Sequence, residues 1–344
     1  MKNIALTGGG TGGHIFPLLA IYNYLKNDSS LNFVWFGDED GLENEVALKN
    51  NIKFEHIPSG KIRRYFDVRN FFEPLKNFSG IFWGIYFIFK YKIDIVFSKG
   101  GFVGLPLCLA GALLRKKVYI HESDTNGGLA NKIISRFATK VFYTFPNEKI
   151  DGEKHILIGQ ILNPELLNNV DKVGELEENE ELEVLVIAGS QGSTTIFESI
   201  KSILNNLIDV NFTIILGEKN LHFRNDFEKY NNVTLHDFVT QEQLGEIYQN
   251  TDIAISRAGA TTLWELYFFG IHTLIVPLEG SAQNHQETNA QYFHDTFGSD
   301  VLQESEKLNL DIFRLLNKYK DLRKSGLNMK NFFYSLEKIK EEMR

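Results

Sequence analysis

The sequence predicts an α/β protein of two domains, each a parallel sheet wrapped by helices, and three observations carry that prediction. Its 344 residues are long for one core and comfortable for two domains of ordinary size. Short apolar runs of strand length alternate with helical stretches along most of the chain, the pattern of βαβ units. Glycine-rich loops recur between strand and helix, at Gly8-Gly-Gly-Thr-Gly-Gly-His14, Ser98-Lys-Gly-Gly-Phe-Val-Gly104 and Gly189-Ser-Gln-Gly-Ser193. Such loops let backbone N–H groups approach a phosphate closely.

In chain order, residues 2–7 read as the first strand, and a helix is expected from about Ile15 or Phe16 to Lys26. Pro17 then falls in its first turn, where a missing N–H is tolerated. Residues 32–36 form a strand, 42–50 a helix and 53–57 a strand; Asp38, Glu39 and Asp40 read as a solvated acidic turn. The segment from Lys61 to Lys92 sets Phe71, Phe72, Phe78, Phe82, Trp83, Tyr86 and Phe89 beside Lys61, Arg63, Arg64, Arg69 and Lys76. Its uninterrupted apolar run is too short to span a bilayer, which needs about 20 residues. Two readings stay open: a helix buried in the core, or an aromatic face with flanking cations seated on an anionic membrane.

A strand over 93–97, a helix over 105–114, a strand over 117–120 and a helix over 128–137 follow, with strands at 140–143 and 155–158 closing the first sheet. Ligands of open parallel sheets gather at the carboxyl ends of the strands, which would bring His14, Lys99, His121, Glu122 and Asp124 to one crevice. His14 can exchange a proton near physiological pH, or can simply cap the helix or touch a phosphate. The adjacent His121 and Glu122 suit an acid/base pair and equally local capping.

Past a boundary near Asn163 and an acidic linker over 174–183, strands are expected at 183–188, 212–216 and 233–235, with helices to about Leu207 and over 241–249. Thr251 to Ser256 reads as a buried strand broken by Gly259, and Thr261 or Thr262 can cap a helix carrying Glu265 in its first turn. The positive end of that helix favours a phosphate or diphosphate in front of it. Glu265 has the wrong charge for an anion but suits the two hydroxyls of a ribose, which makes a nucleotide the sharper expectation. The plainer alternative is a first-turn acid stabilised by the helix dipole. After Asn309 the pattern is helical to the end, and the tail is expected to return to the first domain, giving domains 1–163, 164–327 and 328–344.

The net charge of −8 is unevenly distributed. Residues 1–150 hold 19 Lys and Arg against 13 Asp and Glu, whereas residues 151–344 hold 17 against 31. A basic first half suggests an anionic partner, and without a nucleic-acid-binding motif a membrane surface ranks above nucleic acid. The lone Cys108 lies in an apolar run, so neither a disulfide nor a cysteine metal site is expected within one chain. The opening apolar stretch is too short for a secretory signal.

Taken together, Thr7-Gly-Gly-Gly-Thr-Gly-Gly-His-Ile-Phe-Pro17, Gly100-Gly-Phe-Val-Gly104, His121-Glu122 with Gly128-Leu-Ala-Asn131, Gly189-Ser-Gln-Gly192, and Ser256-Arg-Ala-Gly259 with Glu265, His285, Gln286 and Asn289 give the chain its resemblance to a known family. In these blocks, in this order and over nearly its whole length, it resembles the MurG family of glycosyltransferases of peptidoglycan synthesis. The resemblance implies the GT-B architecture, two Rossmann-like domains facing across a deep cleft. It implies inverting transfer of N-acetylglucosamine from UDP-N-acetylglucosamine to the C4 hydroxyl of the muramyl sugar of lipid I, without metal or cofactor. The partners it implies are that nucleotide sugar, an undecaprenyl-diphosphate-linked muramyl-pentapeptide and an anionic membrane surface, at the cytoplasmic face of the membrane.

Carried over by position, His14, His121 and Glu122 are the catalytic candidates. Thr11, Gly12, Gly13, Asp124, Ser190, Gln191, Gly192, Arg257, Ala258, Gly259, Thr261, Glu265, His285, Gln286 and Asn289 are those for the donor, and Gly9, Gly10, Gly100, Gly101 and Phe102 those for the acceptor. Three positions depart from the family pattern: Asp124 stands where Asn is usual, Gly159-Gln-Ile-Leu-Asn163 lacks an arginine, and Gly104 replaces Ser. These departures keep two alternatives in view: a GT-B transferase acting on another membrane lipid, and a nucleotide-sugar-binding protein without turnover.

Overall fold

The structure, a computed structural model, describes all residues except 11, 61–72, 126, 169–180, 190–191, 282–283 and 328–331. The chain divides into two compact units, Met1–Asn163 with Phe333–Arg344, and Pro164–Phe332.

The first unit runs β1 (Lys2–Gly8), α1 (Gly12–Leu25), β2 (Leu31–Gly37), α2 (Leu42–Lys49), β3 (Phe54–His56), α3 (Glu73–Lys90), β4 (Ile95–Gly100), α4 (Leu105–Leu113), β5 (Lys117–Glu122), α5 (Leu129–Ile134), β6 (Lys140–Tyr143) and β7 (His155–Leu157). Its seven strands are parallel in the order β3-β2-β1-β4-β5-β6-β7. The order reverses between β1 and β4, and the crevice beyond the carboxyl ends of two such strands is where open α/β sheets bind ligands. Alternate strand residues fill the two faces: Ile4, Leu6, Trp35 and Phe97 pack with Leu18 and Ile21 of α1, and Ala5, Val34, Val96 and Val118 with Ile88 and Leu107.

The second unit runs β8 (Leu182–Ile187), α6 (Thr194–Ile203), β9 (Val210–Ile215), α7 (Arg224–Phe227), β10 (Val233–His236), α8 (Gln241–Gln249), β11 (Ile253–Ser256), α9 (Ala260–Phe268), β12 (His272–Ile275), α10 (His285–Phe297), β13 (Asp300–Val301) and α11 (Leu308–Lys318). Its parallel sheet has the order β10-β9-β8-β11-β12-β13, with the reversal between β8 and β11. The chain then re-enters the first unit as α12 (Tyr334–Met343), whose Leu336, Ile339 and Met343 complete the core on the α1 side. The Ser335 hydroxyl donates to the Gln160 carbonyl at 2.9 Å and the Tyr119 hydroxyl to that of Glu342 at 3.0 Å.

Several boundaries differ from expectation. Helix α1 begins at Gly12, three residues early, because first-turn N–H groups need no intrahelical acceptor and the buried Ile15, Leu18 and Leu19 anchor the helix behind them. His14 is therefore a first-turn residue and not the end of a loop. Strand β4 continues through Ser98 and Lys99 to Gly100, which the sequence places in a loop. Helix is not continuous after Asn309, since residues 322–327 are irregular.

Helix α3 resolves part of the aromatic segment. Gly80 and Gly84, four residues apart, bring it against α4: a Cβ at Gly80 would lie 2.8 Å from Cβ of Pro106, and one at Gly84 2.8 Å from Cβ of Ala110. The opposite face leaves Phe78 62%, Phe82 59% and Phe89 67% exposed, so the helix is core on one side and open on the other. The candidate cations Lys61, Arg63, Arg64 and Arg69, with Phe71 and Phe72, lie outside the described residues. Among the described residues no helix is long and apolar enough to cross a membrane.

Candidate functional site

Each sheet reversal carries a glycine turn, one in each unit. In the first unit, β1 and β4 pair Gly8 with Gly100 across a register shift, which sets Gly9 and Gly10 beside Gly100 and Gly101. Gly101 has φ of +79°, and a Cβ there would lie 2.9 Å from the Gly9 carbonyl, so the two loops touch through backbone alone. The Phe102 ring closes on Gly10, its Cε1 3.3 Å from where a Cβ on that glycine would stand. Thr11 lies outside the described residues, and Gly12 and Gly13 open α1.

His14 stands at this junction, hydrogen-bonded to the Gly9 carbonyl. Burial, and then the Lys99 ammonium, push its imidazolium down to about 4, while Asp124 opposes the shift. A carbonyl can only accept, so that ring nitrogen carries the proton and the other is left with a lone pair. The ring is neutral throughout the physiological range, as a general base must be.

His121 and Glu122 do not form an acid/base pair. They are successive residues of β5, and successive strand side chains point to opposite faces. His121 is fully buried, its Nδ1 2.7 Å from the Lys99 amine and its Nε2 3.0 Å from the Gly159 carbonyl, so both nitrogens are engaged inside the unit. Burial first, and then Lys99, hold it well below the ordinary histidine value. Glu122 accepts from the N–H of Asp124 at 3.2 Å, that of Gly128 at 3.2 Å and the Asn131 amide at 2.8 Å. Burial, followed by Asp124, pushes its carboxyl up, and these donors pull it back. Glu122 shapes the loop after β5, whereas His121 ties β5 to Lys99 and to the Gly159 carbonyl. Asp124 itself is partly exposed. Beside it a cavity of about 410 Å³ is lined by Glu122, Thr125, Asn131, Lys132, Tyr143 and Lys149, among others.

In the second unit, Gly189 and Gly192, both with φ of +70°, frame Ser190 and Gln191, which lie outside the described residues. A Cβ on Gly192 would overlap the Asn220 amide and the Leu216 carbonyl. The Ser193 hydroxyl caps α6 by accepting from the Ile196 N–H.

Across the reversal, β11 ends at Ser256, and the turn Arg257, Ala258, Gly259 leads into α9. Gly259 is the N-cap and no side chain caps the helix; Thr261 is partly exposed within it, so neither Thr261 nor Thr262 is the cap. The first N–H groups of α9 are thus left without intrahelical acceptors, as an anion site requires.

Glu265 sits in the second turn rather than the first, and it is 6% exposed. The fully buried Tyr248 donates to its Oε2 at 2.9 Å, and among the described residues Oε1 has no partner. Burial raises its carboxyl to about 7, against the pull of the Tyr248 hydrogen bond. One oxygen is held by the protein and one is left to accept.

Two donor-site expectations are corrected. Arg257 grips Glu304 through two bonds of 2.9 and 2.8 Å and donates to Ser193 at 2.7 Å and to the carbonyls of Val276 and Pro277. With its guanidinium so engaged it fastens the turn to α6 and β12 and does not stand free for a phosphate. Asn289 is fully buried and donates to the Ala258 carbonyl at 3.2 Å, supporting the turn from beneath. His285 opens α10 and is partly exposed. Gln286 accepts from the Leu278 N–H at 2.9 Å, and its amide donors have no partner among the described residues.

Sequence reasoning missed Tyr248, Glu304 and Asn220. Tyr248 falls four residues after the buried Leu244 and reads as ordinary core. Glu304 lies 47 residues from Arg257, beyond any local signal. Among the described residues no cluster of three His, Cys, Asp or Glu is placed to hold a metal ion.

Residues 4–143 match the Glycosyltransferase family 28 N-terminal domain and residues 183–341 the Glycosyltransferase family 28 C-terminal domain. The chain is 37% identical over 327 residues to a protein of Clostridium kluyveri named UDP-N-acetylglucosamine--N-acetylmuramyl-(pentapeptide) pyrophosphoryl-undecaprenol N-acetylglucosamine transferase, covering 92% of each. It is 35% identical over 330 residues to a protein of the same name from Clostridium perfringens, covering 94% of this chain and 90% of that one. Among solved structures it is similar to the crystal structure of Acinetobacter baumannii MurG, with a TM-score of 0.73 and 25% identity over 99% of this chain and 95% of that one. The UDP-GlcNAc 2-epimerase of Neisseria meningitidis, at 15% identity and a TM-score of 0.67 over 99% of each chain, shares the fold. The architecture is GT-B, as the resemblance implies. With both family domains matched in order and a relative at 37% identity along nearly its whole length, the chain belongs to glycosyltransferase family 28.

Proposed function

We propose that this protein transfers N-acetylglucosamine from UDP-N-acetylglucosamine to the C4 hydroxyl of the muramyl sugar in an undecaprenyl-diphosphate-linked muramyl-pentapeptide, with inversion at the sugar carbon. The observation that carries the reading is that each unit has its own glycine turn, the first beside a neutral histidine and the second beside a buried carboxylate with one open oxygen. On the donor side, the N-terminus of α9 with Gly259 and the loop from Gly189 to Gly192, including Ser190 and Gln191, receives the diphosphate. Glu265 accepts from the ribose hydroxyls, and Gln286 and His285 face the sugar. Arg257 and Asn289 hold that turn in shape.

On the acceptor side, Gly9, Gly10, Gly100, Gly101 and Phe102 surround the lipid diphosphate. The ring nitrogen of His14 that carries the lone pair takes the proton of the C4 hydroxyl as its oxygen bonds to the anomeric carbon, and the UDP oxygen leaves with the electron pair of the broken bond. Glu122 keeps the loop after β5 in place, and His121 ties β5 to Lys99. The direct test is incubation with UDP-N-acetylglucosamine and a lipid I analogue: UDP release with formation of the disaccharide is expected, and no product would sink the reading.

The exposed face of α3 suits peripheral attachment at the cytoplasmic membrane surface, since the acceptor's lipid tail must remain in the bilayer. Attachment of this kind combines apolar insertion with attraction to anionic headgroups, about 1 kcal/mol per Lys or Arg. The protein is expected to sediment with anionic vesicles at low salt and to be partly released at high salt. Replacing Phe78, Phe82 and Phe89 together with Ser should weaken vesicle binding by about tenfold or more, because each aromatic contributes on the order of 1 kcal/mol or more when buried. The melting temperature should hold, since these side chains are exposed; an unfolded variant would place the membrane contact elsewhere.

A further inference from the structure

Lys99 is the buried cation of the acceptor crevice. It is the penultimate residue of β4, 1% exposed, its Cβ 3.3 Å from where a Cβ on Gly8 would stand, so its stem lies against the first glycine loop. The ammonium donates to His121 Nδ1 at 2.7 Å and to the Ser123 hydroxyl. An ammonium has three protons, and the third has no partner among the described residues. A lysine is almost never fully buried unless it is paired, and its two hydrogen-bond partners here, His121 and Ser123, are neutral. The charges that balance it come from Glu122 and Asp124 on the neighbouring β5 and its loop, both of which favour its charged form. Burial lowers it to about 8 against the pull of these two acids, and it remains mostly protonated at neutral pH.

Asp124 is the partly exposed one of these two acids. It stands next to Ser123, it acts electrostatically on His14 as well as on Lys99, and a carboxylate there repels an anionic diphosphate. We propose that Lys99 is a positioning residue for the acceptor: its buried ammonium holds the Ser123 turn and offsets the Asp124 carboxylate, so that a lipid-linked diphosphate is accepted beside His14. The inference rests on the acceptor reading given above. Through His121 the same ammonium reaches the Gly159 carbonyl, so the turn, β5 and the loop after β7 are held as one block.

The test compares the parent with Lys99→Met, Asp124→Asn and the double variant, using UDP-N-acetylglucosamine and a lipid I analogue in detergent. Lys99→Met should raise the acceptor KM about tenfold or more while the donor KM stays within about twofold, and adding Asp124→Asn should bring the acceptor KM back to within about threefold of the parent, as coupled charges behave. A double variant as impaired as Lys99→Met, or donor and acceptor KM rising together, overturns the inference. Should Lys99→Met fail to fold by thermal melting, Asp124→Asn alone decides: its acceptor KM should fall at low salt and return towards the parent value at high salt, and an unchanged or higher KM overturns the inference. No product from the parent would remove the acceptor reading and the inference with it, whereas product with non-coupled variants removes the inference alone.

Discussion

Replacing His14 with Ala is expected to lower kcat by about 10²–10⁴-fold, the usual contribution of general acid/base catalysis, while UDP affinity stays within about twofold. The separation follows from the division of the chain: His14 belongs to the first unit, and the turn built from Arg257, Gly259 and Glu265 to the second. The pH profile gives the same residue a second signature. With its imidazolium pushed down to about 4, His14 is neutral at every pH above that, so the acid limb of kcat should not fall near the ordinary histidine value of 6.5. Isothermal titration with UDP and rate measurements from pH 5 to 8 check both statements. A parallel loss of UDP affinity, or a melting temperature that collapses, would return His14 to a packing role.

Replacing Glu265 with Ala is expected to weaken UDP binding by roughly ten- to a hundredfold, since hydrogen bonds to a charged group are worth about 1.5–3 kcal/mol. Discrimination between UDP and its 2′-deoxy analogue should shrink with it. Because burial raises the carboxyl to about 7, the parent should also show a pH-dependent affinity. The ionised carboxylate is the stronger acceptor, so affinity should rise as pH increases through about 7 and then level off. Stability runs the other way. The folded-state pKa lies above the unfolded one, so the folded protein holds the extra proton between about 4.5 and 7, and the stability this contributes is lost as pH rises through about 7. Calorimetry with UDP at pH 6 and pH 8 decides the matter, and equal affinities would mean that Glu265 does not meet the ribose.

Most of the architecture was legible because buried parallel strands are short, nearly continuous apolar runs, and Ile4 to Leu6 or Ile253 to Ile255 can be little else. The glycine turns were legible for a similar reason: few residues other than glycine tolerate the backbone at Gly101 or Gly192. Strand order was not legible, since nothing local says that β4 pairs with β1 or β11 with β8. The site was legible in outline and ambiguous in detail. An arginine after a strand reads alike whether it faces a phosphate or grips Glu304, and an asparagine in a helix does not reveal that it is buried beneath Ala258. Glu265 was placed one turn too early because Thr261 and Thr262 look like caps, whereas the helix starts at Gly259 without one. Phe78, Phe82 and Phe89 show the reverse case, in which periodicity cannot separate core from surface until Gly80 and Gly84 reveal which side meets α4.

The return of α12 to the first unit has a consequence for biosynthesis. Leu336, Ile339 and Met343 are fully buried against the layer that holds α1, yet the ribosome makes them only after all of Pro164–Phe332. Domains generally fold in order of synthesis, and here the second unit can close while the first still has an open apolar groove where Leu336, Ile339 and Met343 will pack. During that interval the nascent chain carries a sticky surface that its finished form does not show. A fragment ending at residue 163 would keep that groove permanently, and it is expected to aggregate or bind chaperones where the complete chain does not.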